Sequence, residues 1–288
     1  MRKEPEKVVN QIECISLCEI LEHIYKIEPC YEKMVEKINQ VAGYSECRRI
    51  YIGSSFCGQY FLNLSPKHVN ALISFCKQED MKVTLVLPVF TQKHLLEGKN
   101  KLKTLLNQYK GIIDEVTVND YGMLHYMAST YPNVRLNMGR LFMKDYREPR
   151  YEEYFNETLK PKGFTNYLNQ VIKRYPICGI EFDPTHRKID FSEKPESIEI
   201  GIYEPYSYIT VGQICEVGSI SKSIEKKFRP NEPCGVECYR YRMQYHMEDG
   251  RDWRRVGRAV YFENKNPELI GLQQVRRIYA PLDWEVES

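Results

Sequence analysis

Short apolar segments alternate with segments of helical period along residues 48–205 of this chain. In the helical segment at 65–80, Val69, Leu72 and Ile73 share one face, as in an amphipathic helix. Because strands and helices alternate strictly, we expect parallel strands joined by right-handed crossovers. The segments with strand character are "RRIYIGSS" (48–55), "MKVTLVLPV" (81–89), "DEVTVND" (114–120), "NVRLNMGRL" (133–141), "ICGIEFD" (177–183) and "SIEIGIYEP" (197–205).

At least six parallel strands fit two architectures, a closed barrel or an open doubly wound sheet. The open sheet would suit a dinucleotide, but no glycine-rich phosphate loop follows any strand segment. We therefore predict an α/β fold built on a (β/α)8-like, TIM-type barrel, either complete or incomplete and distorted. A weaker apolar run at 23–29 is the candidate first strand, and a segment of helical period follows it.

The chain contains no internal repeat and no glycine/serine linker, so residues 1–288 are predicted to form a single barrel-like domain. Residues 1–30 are interpreted as an N-terminal helical extension, in which Cys14 and Cys18 lie four apart. Core packing is the favoured role of these two cysteines, and a rival metal pair is the alternative. Residues 211–288 are predicted to be a cluster-binding segment and tail that lies over the barrel mouth.

Charge and cysteine content narrow the class of protein. The net charge of +2 argues against a general polyanion binder. No apolar run is long enough to span a membrane, and the N-terminus lacks the apolar region of a signal peptide, so we predict a cytoplasmic protein without membrane insertion. Ten cysteines in such a protein stay mostly reduced, which leaves metal binding, redox chemistry or simple burial.

Two cysteines, Cys234 and Cys238, lie four residues apart just after Pro233. This spacing predicts a helix that begins near Pro233 and places both sulfurs on its first turn. Such a geometry suits a metal better than a disulfide. The unpaired amides of a helix N-terminus would also stabilise an anionic group beside the two sulfurs.

Two further cysteines are expected at the same end of the barrel. Cys57 follows the first clear strand segment, and Cys215 lies about ten residues beyond the last one. If the loop with Cys215 returns over the barrel mouth, its sulfur and those of the Cys234–Cys238 pair converge with that of Cys57. Four thiolates suit an iron–sulfur cluster or a structural zinc ion, and ordinary buried or free thiols are the third interpretation.

A family resemblance is carried by "IYIGSSFCGQYF", "VTLVLPVFT", "EVTVNDYGMLHYM", "VRLNMGRLF" and "YSYITVGQICEVGS" with "KKFRPNEPCGVEC". In this order they resemble the collagenase-like peptidase U thirty-two family, above all its short iron–sulfur members of the kind found in anaerobic ubiquinone biosynthesis. The resemblance spans about residues 48–240.

The resemblance implies a barrel-like fold and a [4Fe–4S] cluster held by Cys57, Cys215, Cys234 and Cys238. It also implies a role in the oxygen-independent hydroxylation of an aromatic ring or a nucleobase. Proteolysis is not predicted, because the chain has no H-E-x-x-H zinc helix and no recognisable serine or cysteine triad.

Other residues are candidates for substrate binding and proton transfer. Asp183 and His186 follow a strand end and are predicted to move protons, although Asp183 could instead cap the following turn. Arg140 would hold an anionic substrate or pair with a barrel carboxylate. Arg242 and Arg254, interleaved with aromatic residues, would hold a carboxylate or an exposed nucleobase, with a solvated helical face as the alternative.

Three functions follow from these residues. The first is an iron–sulfur enzyme, or a subunit of one, acting on a small anionic aromatic substrate or on RNA. The second is a non-catalytic iron–sulfur partner or sensor, and the third a zinc-stabilised RNA-binding protein. A paralogous partner in a heterodimer, or a second copy in a homodimer, is expected for the first two.

Overall fold

The computed structural model describes residues 14–18, 47–143, 162–185, 189–230, 232–248, 250–264 and 275–282. The strands are β1 (Cys14–Ser16), β2 (Arg49–Gly53), β3 (Lys82–Leu87), β4 (Ile113–Val118), β5 (Arg135–Met138), β6 (Ile177–Phe182), β7 (Glu199–Glu204), β8 (Tyr206–Val211), β9 (Met243–His246), β10 (Asp252–Val256), β11 (Ala259–Glu263) and β12 (Val275–Tyr279). The described helices are α1 (Gly58–Leu62), α2 (Pro66–Gln78), α3 (Leu95–Gln108), α4 (Tyr121–Thr130) and α5 (Asn166–Arg174).

Eight parallel strands close into a barrel in the order β1, β2, β3, β4, β5, β6, β7 and β12, with β12 paired back to β1. The chain therefore has an α/β barrel fold, as predicted. The six strand segments expected from the sequence correspond to β2 through β7. Helix α2 forms within the segment 65–80, where the apolar periodicity indicated it, and α3 and α4 lie between strand segments as the alternation predicts.

Local sequence explains where these helices begin and which side they bury. Pro66 occupies the first turn of α2, where its missing N–H costs no hydrogen bond. Asp120 caps α4 by accepting a hydrogen bond from the Met123 amide at 2.8 Å. The apolar side chains of the helices and the outward-facing side chains of the strands share one large core. None of the described helices is long and apolar enough to cross a bilayer.

Both ends of the chain contribute strands to the barrel, which corrects two predictions. Residues 14–16, within the predicted helical extension 1–30, form β1. Residues 275–279, within the predicted tail 211–288, form β12 between β1 and β7. The candidate first strand at 23–29 lies outside the described residues. A three-residue strand shows too little alternation to be found by pattern, so only the closure of the barrel reveals β1.

A second, antiparallel sheet lies in sequence between barrel strands β7 and β12. Its strand order is β8, β11, β10, β9. The strands replace the helix that the sequence predicted after Cys238, since Met243–His246 and Asp252–Val256 form β9 and β10. A separate apolar cluster containing Phe56, Tyr208 and Tyr261 packs this sheet against the chain that leaves β2.

Polar side chains fill part of the barrel interior. Glu115 on β4 accepts hydrogen bonds from Thr84 at 2.8 Å and from Arg276 at 2.7 Å. Glu181 on β6 accepts hydrogen bonds from Thr117 at 2.6 Å and from the Tyr203 hydroxyl at 2.8 Å. The burial of so many polar groups is tolerable because each carboxylate has several donors.

Glu181 should make stability depend on pH. Burial raises the pKa of Glu181 from 4.5 to about 7, although the hydrogen bonds from Thr117 and Tyr203 lower it. The folded state therefore binds a proton more tightly than the unfolded state, so the free energy of unfolding should fall as the pH rises from about 4.5 to 7. The full change is about 3 kcal/mol.

Glu181→Gln, which imitates the protonated side chain, should remove this dependence. Urea denaturation at pH 4.5 and at pH 8 gives the unfolding free energy of the variant and of wild type. Relative to wild type, the variant should be about 3 kcal/mol more stable at pH 8 than it is at pH 4.5. The exposed Glu196→Gln serves as the control and should show no shift. Parallel pH profiles for Glu181→Gln and wild type would contradict the raised pKa.

Candidate functional site

Four cysteines from distant parts of the sequence line one pocket. They are Cys57, Cys215, Cys234 and Cys238, the four residues that the sequence predicted as metal ligands. The pocket encloses about 40 Å³, more than the roughly 15 Å³ that one water molecule needs. All described cysteines are free thiols, so no disulfide ties up any of the four.

The turn after β2 places Cys57. Gly53 has φ 123°, and a Cβ there would lie 2.1 Å from the carbonyl oxygen of Val86, so only glycine fits this strand end. The Ser54 hydroxyl then accepts hydrogen bonds from the amides of Phe56 at 3.2 Å and Cys57 at 2.9 Å. Cys57 is thereby held at the N-terminus of α1, at the carboxyl end of the barrel strands.

Cys215 and Cys234 meet at Gly218. A Cβ on Gly218 would lie 3.4 Å from the Cys215 sulfur and 3.3 Å from the Cys234 Cβ, so a larger residue would crowd both cysteines. The Gly218 amide also donates a hydrogen bond of 3.2 Å to the Cys215 sulfur. This glycine lets the two loops approach each other and supplies a donor to one of the sulfurs.

The predicted helix at Pro233 does not form. Cys234 lies in irregular chain, and Val236 adopts the left-handed conformation with φ 57°. A short 3₁₀ turn, Glu237–Tyr239, then carries Cys238. The spacing of four therefore does not reflect one helical turn, and the chain between the two cysteines instead passes through the left-handed Val236.

Packing joins the barrel end to the C-terminal segment. The rings of Tyr60 on α1 and Tyr239 beside Cys238 lie 5.4 Å apart, tilted edge to face. Val217 and Val236 are buried in the same core cluster as Tyr60. The segment that bears three of the cysteines is thus packed on the barrel rather than extended from it.

Burial and nearby charges act in opposite directions on the thiols. Burial raises the pKa of Cys215, while the Gly218 amide and the Arg258 guanidinium lower it. Burial likewise raises the pKa of Cys234, while the Val236 amide lowers it. Without a bound cation both groups are therefore held mainly as thiols, and a metal that displaces the protons would also relieve the cost of burying a thiolate.

Charged side chains share the pocket wall with the cysteines. They are the basic residues Lys222, Arg229 and Arg258 and the acidic residues Glu232 and Glu237. Arg258 is buried, and donates hydrogen bonds to the Gly212 carbonyl at 2.8 Å and to the Gln213 side chain at 2.6 Å. These bonds fix the guanidinium beside the sulfurs, where its charge offsets that of a thiolate.

The donor set fits a soft metal group. Thiolates select zinc, copper(I) or iron–sulfur clusters, and hydrogen bonds to cysteine sulfur tune such centres. Within the residues that the structure describes, no group of three or more His, Cys, Asp or Glu side chains is placed so that it could hold a metal ion. The four cysteines thus share one pocket without forming such a group, and the assignment of a metal rests on their chemistry and their common pocket.

Two other predicted site residues lie together elsewhere. Arg140 donates two hydrogen bonds to the Asp183 carboxylate, one of them 2.8 Å long from Nε, and its guanidinium stacks on the Tyr203 ring at 3.9 Å. The exposed fractions are 4% for Arg140 and 0% for Asp183. Each residue is the other's partner inside the barrel, as the alternative interpretation of Arg140 anticipated. His186 lies outside the described residues.

The other two predicted substrate arginines are also directed elsewhere. Arg242 donates to the Leu282 carbonyl, and Arg254 on β10 lies over the ring of Tyr206. Among the described residues, the arginines that line the pocket are Arg229 and Arg258.

From the arginines that follow Cys238, the sequence selected Arg242 and Arg254 and not Arg258 as substrate ligands. The alternation in "DWRRVGRAVYFE", with a glycine at its centre, was the available signal for a hairpin whose turn carries Arg258.

The remaining described cysteines lie apart from the pocket. Cys14 is buried in the barrel interior with Tyr51 and Tyr203, and Cys18 packs against the same cluster. Core packing, the favoured role of these two cysteines, is therefore what the structure shows, although Cys14 lies on β1 and Cys18 in the turn after it rather than on a helix. Cys76 is buried on α2, in the core between helices and strands.

The fold and this pocket define an α/β-barrel protein with four cysteines grouped at the carboxyl end of its strands. Comparison of the chain with protein-family models, with curated proteins and with solved structures finds no match.

Proposed function

We propose that the chain is a [4Fe–4S] protein of the peptidase U thirty-two type, and that it serves as an enzyme, or a subunit of one, in an oxygen-independent hydroxylation. The observation that carries the proposal is that Cys57, Cys215, Cys234 and Cys238 line one pocket, although up to 181 residues separate them in sequence. Cysteines kept only for packing would have no reason to collect at one half-exposed site.

The pocket residues have separate tasks in this proposal. The four cysteines would hold the cluster, which would supply electron transfer or Lewis-acid chemistry. Gly218 donates a hydrogen bond to the Cys215 sulfur, and Arg258 adds a fixed positive charge beside it. The half-buried Lys222 and the exposed Arg229 line the outer wall and could attract an anion to the pocket.

The proposed substrate is a small anionic aromatic molecule or an exposed nucleobase. This class follows from the family resemblance, and the basic residues of the pocket wall are compatible with it. With Arg140 and Asp183 paired to each other, the proton donor or acceptor would come from the pocket itself, where Glu237, the residue before Cys238, lies in the wall. We also propose that the barrel is an incomplete form of the TIM-type barrel, since the described residues between β6 and β7 contain no helix.

Anaerobic purification tests the proposal directly. We expect a brown protein with about four iron and four sulfide per chain, as four cysteine ligands require. Cys238→Ala, purified in parallel, is the matched control and should emerge nearly colourless. Stoichiometric zinc without sulfide in the wild type would instead support the zinc-stabilised alternative, and a full cluster without turnover in a complete substrate screen would support the partner or sensor.

A further inference from the structure

Exposed large apolar side chains are concentrated in the cysteine-bearing segment of the described chain. In residues 214–241 they are Ile214, Ile220, Ile224, Phe228 and Tyr241. Ile224 is 85% exposed and Phe228 56% exposed. We call Ile220, Ile224 and Phe228 the apolar patch. Grouped exposed apolar residues with a polar rim are typical of protein interaction sites.

The backbone holds the patch against the cysteine pocket. Phe228 has φ 54°, a left-handed conformation that is rare for a bulky residue. Its amide donates to the Ser219 hydroxyl at 3.1 Å, and that hydroxyl donates to the Cys215 carbonyl at 2.8 Å. The loop is therefore anchored to a pocket cysteine, and the Phe228 ring still faces solvent.

The patch lies in a basic environment. Residues 213–230 contain four basic side chains, Lys222, Lys226, Lys227 and Arg229, and two acidic ones. Two of the basic residues, Lys222 and Arg229, line the pocket; in sequence Lys222 lies between Ile220 and Ile224, and Arg229 follows Phe228. A partner for this surface needs an apolar centre and a rim of carboxylates.

We propose that the patch docks a small acidic protein that carries one electron, such as a ferredoxin. The inference rests on the proposed iron–sulfur function. Because three of the pocket cysteines are only partly buried, a carrier on the patch would lie close to the cluster. In each encounter one electron would pass from the reduced cluster to the oxidised carrier, because a hydroxylation that takes its oxygen from water removes two electrons from the substrate; no bond is made or broken in the transfer. Electron-transfer encounters use small interfaces and depend on charge steering, which this surface provides.

Two other occupants fit the surface less well. Single-stranded RNA binds through stacking on aromatic rings, whereas two of the three patch residues are isoleucines. A second copy of this chain would set the same lysines against each other around a two-fold axis, and like charges oppose such an interface. An acidic protein with an apolar contact centre complements both the aliphatic centre and the basic rim of this surface.

Binding of a labelled acidic [2Fe–2S] ferredoxin to the anaerobically purified protein tests the inference. We expect saturable binding that weakens with salt. Ile224→Ser should weaken binding about tenfold, because the complex would bury this isoleucine. Lys226→Glu with Lys227→Glu should weaken binding at least as much, because the rim then repels an acidic partner. Lys82→Glu with Lys110→Glu, at the opposite end of the barrel strands, matches the charge change and should leave binding unchanged.

Each alternative result is decisive. Absence of ferredoxin binding to the wild type, or equal loss in the two charge variants, would overturn the proposal. Tight binding of single-stranded uridine RNA that Ile224→Ser does not affect, or a dimer that Ile224→Ser dissociates, would assign the surface to another occupant. Iron and sulfide are measured on the same samples, so a protein without a cluster refutes the proposed function separately, while the labelled ferredoxin still reports on the patch.

Discussion

Alanine at Cys57, Cys215, Cys234 or Cys238 should remove most of the iron and sulfide from the anaerobically purified protein. Each substitution takes one of the four sulfurs from the shared pocket and would leave one iron of the proposed cluster without a protein ligand. Loss of a residue that only supports a metal ligand typically costs 10- to 100-fold in affinity, so loss of a ligand should cost at least about tenfold. Iron and sulfide per chain after gel filtration is the measurement.

Cys14→Ala and Cys18→Ala provide the controls, because both residues belong to the barrel-interior cluster and not to the pocket. These variants should keep the full complement of iron, although loss of the buried Cys14 side chain lowers stability. Iron retained in Cys57→Ala together with iron lost in Cys14→Ala would reverse the ligand assignment. Circular dichroism on the same samples separates loss of the cluster from loss of the fold.

Asp183→Ala should be the most destabilising single substitution in the barrel interior. Burial alone would lower the pKa of Arg140, but the Asp183 carboxylate raises it above its ordinary value, so the arginine stays charged. Removing Asp183 leaves that charge buried without its main counterion, which typically costs 3–5 kcal/mol. The free energy of unfolding from urea denaturation measures the effect.

Two comparisons identify the cause. Lys162→Ala breaks an ion pair with Glu193 in which both side chains are about half exposed, so the loss should stay below about 1 kcal/mol. Arg140→Met combined with Asp183→Leu removes both charges and should recover part of the lost stability. If Asp183→Ala unfolds as easily as wild type yet abolishes turnover, the predicted catalytic role of Asp183 would be supported instead.

Strands β2 through β7 could be predicted from the sequence because parallel barrel strands are buried on both sides and are therefore apolar. Segments such as "VTLVL" in β3 and "ICGIEF" in β6 are short apolar runs that follow helices, and this alternation is typical of parallel α/β sheets and barrels. The two end strands carried no such signal. β1 has only three residues, and Arg276 and Arg277 interrupt the apolar character of β12. Their positions follow from closure of the hydrogen-bonded ring, which no local pattern encodes.

The amino-acid pattern also identified which cysteines belong together. Position after a strand end selected Cys57, and spacing along the C-terminal segment selected the other three. Only the tertiary structure decided how they meet, because the left-handed Val236 and the close approach at Gly218 depend on packing between loops distant in sequence. For the same reason, only the tertiary structure decided that Arg140 pairs with Asp183 and that Arg258 lies at the pocket. Two charged side chains pair when the folded chain brings them close together, and the local sequence does not show which side chains will be close.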